Sequence, residues 1–426
     1  MQRSIMRTFH GGHDVALNVE GFLLLVSATL FLSYVSSLIY SKTRIPDVVW
    51  LLCLGYVMGP VLGFFRYEDF IKIFEYLMLV VVALFSFDTG INVNISSVMR
   101  NVVKALTLSA ATFVGIIGVV GYSMHYLMPG LFPLLDGMLL GAMIGGLGGI
   151  SVTGILDRLS TLIPSVEGDG VLLNLEATLS DTFRLVAVFT LYNLKKIAPY
   201  TLEEALKEIV WVFTVATIFG VVVGLLWSEV LDFLWARPFN YMMTIAALFP
   251  VYIFSERYIG NSGGAITALA FGLAVNNHNY LYRVFGWKRR LKVNKFRIRE
   301  FNQEITFLVK AFFFVYIGLI VSLSVEYAVL GVGVVALMLA TRYAVVTGIG
   351  GLLRLSPGEK VLSRLIFLQG TAALVMSQLP RIWDPEMAVF TDPNIFSDLC
   401  FPIVIITLIF VSTLGPVVAN RQLREL

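Results

Sequence analysis

Charge is what this sequence has least of. Only 14% of its 426 residues are Asp, Glu, Lys or Arg, against about 25% in a soluble globular domain. Cysteine is nearly absent too: Cys53 and Cys400 lie in apolar runs, match no metal-ligand spacing, and read as lipid- or core-facing side chains. The four histidines, His10, His13, His125 and His278, have no ligand-like neighbours in the sequence. No nucleophile stands beside a base and no phosphate loop occurs, so an enzyme is not expected, nor is any cofactor. A net charge of +3 offers no field for nucleic acid.

What fills the chain instead is apolar. Hydrophobic residues make up 58% of it, mean hydropathy is +0.83, and apolar runs near twenty residues long recur, each enough to cross a bilayer as a helix. The expectation is an all-α polytopic membrane protein. "MQRSIMRTFHGGHDVALNVE" has basic residues but no short apolar core ending in a cleavage site, so the first hydrophobic run is expected to stay in the mature protein.

Runs bounded by charged or Pro/Gly-rich turns give thirteen candidate spans, centred near residues 29, 55, 81, 114, 145, 182, 218, 247, 267, 313, 339, 371 and 409. "FSERYIGNSGG" between the eighth and ninth is short, which leaves twelve as the alternative. With thirteen, nineteen of the 31 basic residues fall in one set of alternating loops and eight in the other. The positive-inside rule then places the amino terminus outside and the carboxyl terminus in the cytoplasm. The organisation so read is an outer tail (1–18), a first group of spans (19–275), a basic cytoplasmic linker (276–300), a second group (301–420) and a cytoplasmic tail (421–426). The basic residues at 283–299, with Tyr280, Tyr282, Phe285 and Trp287, suit either an anionic lipid surface or a plain topological anchor.

Ionisable groups inside spans are costly, about 2.5 to 3.5 kcal/mol each on insertion scales, and so mark candidate sites. Asp88, Glu176, Asp181, Arg184, Lys310 and Arg342 qualify, with Glu20 and Glu304 nearer span ends. Glu176 and Asp181 are separated by about 140° around a helix, and Arg184 stands one turn beyond Asp181. Either Asp181 and Arg184 form a neutral structural pair, or Asp181 exchanges protons and cations while Arg184 tunes it. A carboxylate poised between desolvation and a neighbouring cation can hold a proton or a small cation but not both, which is the competition an antiporter needs.

Just upstream, "GAMIGGLGGISVTG" (Gly141 to Gly154) places six glycines in mid-span. Such a stretch suits a broken helix that offers backbone carbonyls to an ion, or close helix packing through small residues. "LIFLQGTAALVMSQLP" carries a milder interruption in the corresponding part of the second half, and paired interruptions point to inverted repeats.

With these residues in view, the chain resembles the monovalent cation:proton antiporter superfamily, in particular NhaP-type sodium/proton exchangers and archaeal relatives. The likeness runs from about residue 20 to 420. "RIPDVVWLLCLGYVMGP" resembles the family's second span and "FSFDTGINVNISSVMR" the end of its third; "EATLSD" resembles the sixth-span E-S-x-x-N-D. The resemblance implies an inverted-repeat fold with discontinuous helices crossing near the midplane. It also implies that Asp181 alternately binds cation and proton, with Glu176 as the second acid. "LVKAFFFVYIG" puts Lys310 at a usually basic place, and "LATRYAVVTG" puts Arg342 where an arginine pairs with an acid, here Glu176.

The T-D-P of sodium exchangers is replaced by Leu147, Gly148 and Gly149, and the later G-P-R-G by Gln369 to Ala372. Ser180, Ser151 and Thr153 are the hydroxyls left to complete an oxygen shell. The expected activity is one-for-one, electroneutral exchange of Na⁺, with Li⁺ and K⁺ as alternatives, for H⁺. Its implied setting is pH homeostasis at the plasma membrane, by a homodimer joined through the first and seventh spans. The competing readings are an organic anion or amino-acid symporter on the same scaffold, and a non-transporting relative with a locked Asp181–Arg184 pair.

Overall fold

The computed structural model describes residues 19–43, 47–63, 67–93, 95–149, 152, 155–156, 159–160, 163, 166–196, 202–260, 263–287, 289–321 and 324–424. Among them there are helices, turns and irregular segments but no strand. In a chain this apolar, helix is the state that satisfies backbone groups within one segment.

The helices in order are α1 (Val19–Thr43), α2 (Asp47–Tyr56, continued by a π turn, Val57–Val61), α3 (Tyr67–Asn92), α4 (Ile95–Leu127), α5 (Leu134–Ile144), α6 (Val166–Lys196), α7 (Leu202–Phe233) and α8 (Met242–Tyr258). They continue as α9 (Gly263–Val284), α10 (Lys295–Ile320), α11 (Val325–Ile349), α12 (Pro357–Leu365), α13 (Thr371–Ser377), α14 (Leu379–Trp383), α15 (Ile395–Ile406, continued by a π turn, Thr407–Val411) and α16 (Ser412–Arg424).

Among the described residues five helical stretches are long and apolar enough to cross a membrane: Val103–Leu127, Val210–Phe233, Lys295–Ile320, Val325–Ile349 and Ile395–Leu423. Large apolar side chains such as Phe31, Leu226 and Phe233 are exposed on their helices, as a lipid-facing surface requires. The chain is an integral membrane protein. Each expected span centre falls on a helix or at a helix break, and the stretch between the eighth and ninth centres separates two distinct helices, α8 and α9. α9 runs on to Val284 and α10 starts at Lys295, so helix occupies much of the segment expected as a linker.

The chain forms two compact units. One consists of residues up to Met78 together with Leu308–Val321. In it α1 lies against α2, and the end of α10 crosses α2 so closely that a Cβ on Gly318 would stand 2.9 Å from Tyr56 N and 3.0 Å from Gly55 Cα. Only glycine permits that approach.

The other unit comprises Leu79–Phe307 and Ser322–Leu426. Within it α6 packs on α4, α5 and α12, and α11 packs on α4 and α15. Ala105, Leu108, Leu172, Val346 and Leu355 form one buried apolar cluster tying α4, α6 and α11 together. α12 is started by a capping box: Ser356 Oγ accepts from Glu359 N at 2.9 Å and Glu359 Oε2 accepts from Ser356 N at 2.7 Å. α7, α8 and α9 pack together in the same unit.

Two helices of this unit are broken. α5 stops at Ile144 and residues 145–148 are irregular; α12 stops at Leu365 and residues 366–370 are irregular until α13 begins at Thr371. The breaks meet. Gly148 N donates to Leu368 O at 2.8 Å, and a Cβ on Gly148 would lie 2.5 Å from Gly370 Cα, while one on Gly370 would lie 2.7 Å from Gly148 Cα. The backbones cross at a separation no side chain tolerates, which accounts for glycine at both positions. The expected fold of discontinuous helices crossing one another is what the chain adopts.

Candidate functional site

α6 runs past this crossing and carries Glu176, Ser180, Asp181 and Arg184 on successive turns. The two acids face different surroundings. Glu176 is 1% exposed and is gripped by Arg342 of α11, itself 0% exposed. Arg342 Nη2 donates to Oε2 at 2.7 Å and Nη1 to Oε1, a bidentate pair. Nη1 also donates to Thr112 Oγ1 at 3.1 Å and Nε to Ser363 O at 2.6 Å, and the guanidinium carbon lies 5.4 Å from the Phe367 ring centre. Every guanidinium nitrogen therefore has a partner, which is what makes a pair of buried charges tolerable.

Asp181 keeps 21% of its side chain exposed. Its Oδ1 accepts from Arg184 Nη1 at 2.5 Å, and Arg184 is 0% exposed. The guanidinium points into the crossing: Nη2 donates to Gln369 Oε1 at 3.3 Å, and a Cβ on Gly146 would stand 2.8 Å from that same nitrogen. Arg184 therefore occupies the space that glycine leaves open in the first break and touches a side chain of the second.

Ser180 is buried beside this pair. Its hydroxyl donates to Glu176 O at 2.8 Å and lies 3.2 Å from Ser109 Oγ of α4, so its remaining capacity is that of an acceptor. Ser151 and Thr153, the other expected shell hydroxyls, lie outside the described residues.

The remaining expected charges stand elsewhere. Asp88 on α3 accepts from Asn302 Nδ2 at 2.8 Å, near a polar cluster in which Asn276 and Asn277 Nδ2 both donate to Val93 O and Arg299 Nη2 donates to Ile91 O. That cluster holds the α3–α4 connection against α9, which kinks at Asn277. Lys310, half-buried on α10, belongs to the smaller unit. Cys53 is exposed and Cys400 buried, and no metal-holding group of His, Cys, Asp or Glu occurs among the described residues.

Sequence reading missed Gln369, Thr112 and Ser363 as partners of the buried charges, and Ser109 as the neighbour of the Ser180 hydroxyl. Gln369 alone is singled out in the sequence, as the first residue of the stretch that replaces G-P-R-G.

Comparison with known proteins gives a consistent outcome. The family model described as "Sodium/hydrogen exchanger, transmembrane" matches residues 27–420. No curated protein sequence matches. Among solved structures, that of the sodium proton antiporter MjNhaP1 from Methanocaldococcus jannaschii at pH 8 is similar with a TM-score of 0.75 at 16% identity, covering 94% of this chain and 98% of that one. A structure of the same antiporter from electron microscopy is similar with a TM-score of 0.67 at 20% identity, covering 96% and 98%. At these identities the likeness is one of fold.

Proposed function

Because the chain belongs to the sodium/hydrogen exchanger family, we propose that it is a secondary antiporter exchanging a monovalent cation for H⁺, with Asp181 as the carboxylate that holds ion and proton in turn. The observation that carries this reading is the division of labour on α6. Glu176 is sealed and fully committed to Arg342, whereas Asp181 is part-exposed at the crossing of the two breaks. A carboxylate with access to solvent and a backbone-rich surround can exchange ligands; a sealed one cannot.

Na⁺ is the favoured cation, with Li⁺ and K⁺ as surrogates, since hydroxyl and carbonyl oxygens suit hard cations. Ser180 offers acceptor capacity beside Asp181, and Ser151 and Thr153 are assigned to the same shell. One exchanging carboxylate favours one-for-one, electroneutral exchange. Glu176 and Arg342 hold the bundle together, Arg184 tunes the site, and Asp88 and Lys310 are structural or tuning charges. The setting is the plasma membrane with the amino terminus outside, as a homodimer through α1 and α7. Lipid headgroups would meet the basic 283–299 segment, where Arg289 is already committed to Glu229 and Asp232 of α7.

The test is dissipation of a pH gradient in proteoliposomes on adding Na⁺, Li⁺ or K⁺ separately. Cation-dependent dissipation that disappears in Asp181→Asn is the expected result. The close Asp181–Arg184 pair also favours a second reading, a locked non-transporting relative, which would be silent in wild type and gain exchange in Arg184→Ala.

A further inference from the structure

Occupation of Asp181 by a cation displaces whatever held its oxygen before, and here that is a guanidinium. Arg184 is 0% exposed and cannot turn to water. Released without another acceptor, it would be stranded as a buried unpaired charge, and the ion would have to compete against that whole penalty. The structure supplies a second acceptor on the opposite broken segment. Gln369 Oε1 stands 3.3 Å from Arg184 Nη2, longer than the 2.5 Å contact to Asp181 and so open to tightening.

Gln369 is built for that part. Its backbone is fixed, since its N–H donates to Thr407 Oγ1 at 3.3 Å and the adjacent Leu368 O accepts from Gly148 N. Its side chain is fully buried, yet Nε2 has no partner among the described residues, so the amide head is held on one side only. Arg184 Nε likewise has no partner there. A short swing of the guanidinium needs no rearrangement of either backbone.

We propose that Gln369 is a positioning residue that receives Arg184 when a cation or proton takes Asp181, and that this hand-over sets the apparent cation affinity of the site. The proposal rests on the reading of Asp181 as the exchanging carboxylate. Arg184 is thereby an internal cation competing with the transported one, and Gln369 decides how hard it competes. Gln369 need not touch the ion.

The experiment is a double-mutant cycle in proteoliposomes at one fixed pH, with half-saturating cation concentration and maximal rate read separately for Na⁺ and Li⁺, and thermal melting confirming that each variant is folded. Gln369→Leu removes the receiving oxygen and is expected to raise the half-saturating concentration about tenfold or more, the scale of one hydrogen bond to a charged group. Gln369→Glu strengthens the acceptor and is expected to lower it; this variant carries the test if Gln369→Leu does not fold. In an Arg184→Ala background Gln369→Leu is expected to shift it by less than about twofold, because nothing remains to be received.

Equal shifts in both backgrounds, or none in either, would overturn the hand-over and leave Gln369 a packing residue. A silent wild type with an active Arg184→Ala would overturn it too, as a lock that Gln369 does not relieve. Silence of every folded variant in all cations would instead sink the exchange reading itself.

Discussion

Arg342 and Glu176 are joined through both carboxylate oxygens with almost no exposure on either side chain. The arginine comes from α11 and the glutamate from α6, with Thr112 of α4 and the Ser363 carbonyl of α12 on the same guanidinium. Four helices thus converge on one cation, so the pair belongs to assembly of the larger unit.

Replacing Glu176 with Gln leaves Arg342 buried without its counter-charge, with one acceptor oxygen kept and an amide N–H set against the guanidinium. Breaking one side of a buried pair costs about 3 to 5 kcal/mol. The expected outcome is a large loss of thermal stability in detergent, with cation-dependent exchange retained in whatever protein stays folded. Normal melting with exchange abolished would move Glu176 into the ion chemistry.

Gly146→Ala places a methyl group 2.8 Å from Arg184 Nη2 and 3.0 Å from Ser180 Cβ. The guanidinium must shift, so exchange is expected to fall while the protein still folds. Adding Arg184→Ala should restore part of the rate. A proteoliposome assay of the single and double variants checks this, and no recovery would mean that the clash acts through Ser180.

Alanine at Gly148 or Gly370 forces apart two backbones that no rotamer change can relieve. Overpacking of this kind costs about 1 to 3 kcal/mol or more, and the hydrogen bond between Gly148 N and Leu368 O is expected to go with it. Melting temperature and exchange rate should fall together in both variants. A Gly370→Ala protein as stable and active as wild type would contradict the crossing.

On the loop after α14, Asp384 is buried and accepts from the N–H groups of Ala388, Val389 and Phe390 at 2.7 to 2.8 Å. Asp384→Ala leaves those donors unpaired, at about 1 to 3 kcal/mol for each one that stays buried. Faster amide hydrogen exchange across residues 388–390 is the expected signature. Unchanged protection there would show that water replaces the carboxylate without loss.

Much of this was legible in the sequence because the membrane makes charge rare. Glu176, Asp181, Arg184 and Arg342 stood out against apolar runs, and glycine clustering marked the first break. Helical spacing alone put Arg184 within reach of Asp181. The resemblance paired Arg342 with Glu176, but the other partners across helices were not legible: that Arg184 meets Gln369, 185 residues away, depends on how two broken segments pass one another. Nor could spacing show that Ser180 spends its proton on Glu176 O. Linear periodicity reports which face a residue occupies, whereas the site is made where faces of distant segments coincide.

The contact between Gly148 and Gly370 has a consequence for how such a sequence can drift. Neither glycine can be exchanged alone, and relief at one is useless while the other backbone stays in place, so the two positions are bound to change together or not at all. Side chains around them carry no such bond. A lineage built on this frame is free to rewrite the side chains around the crossing, while the crossing itself stays fixed.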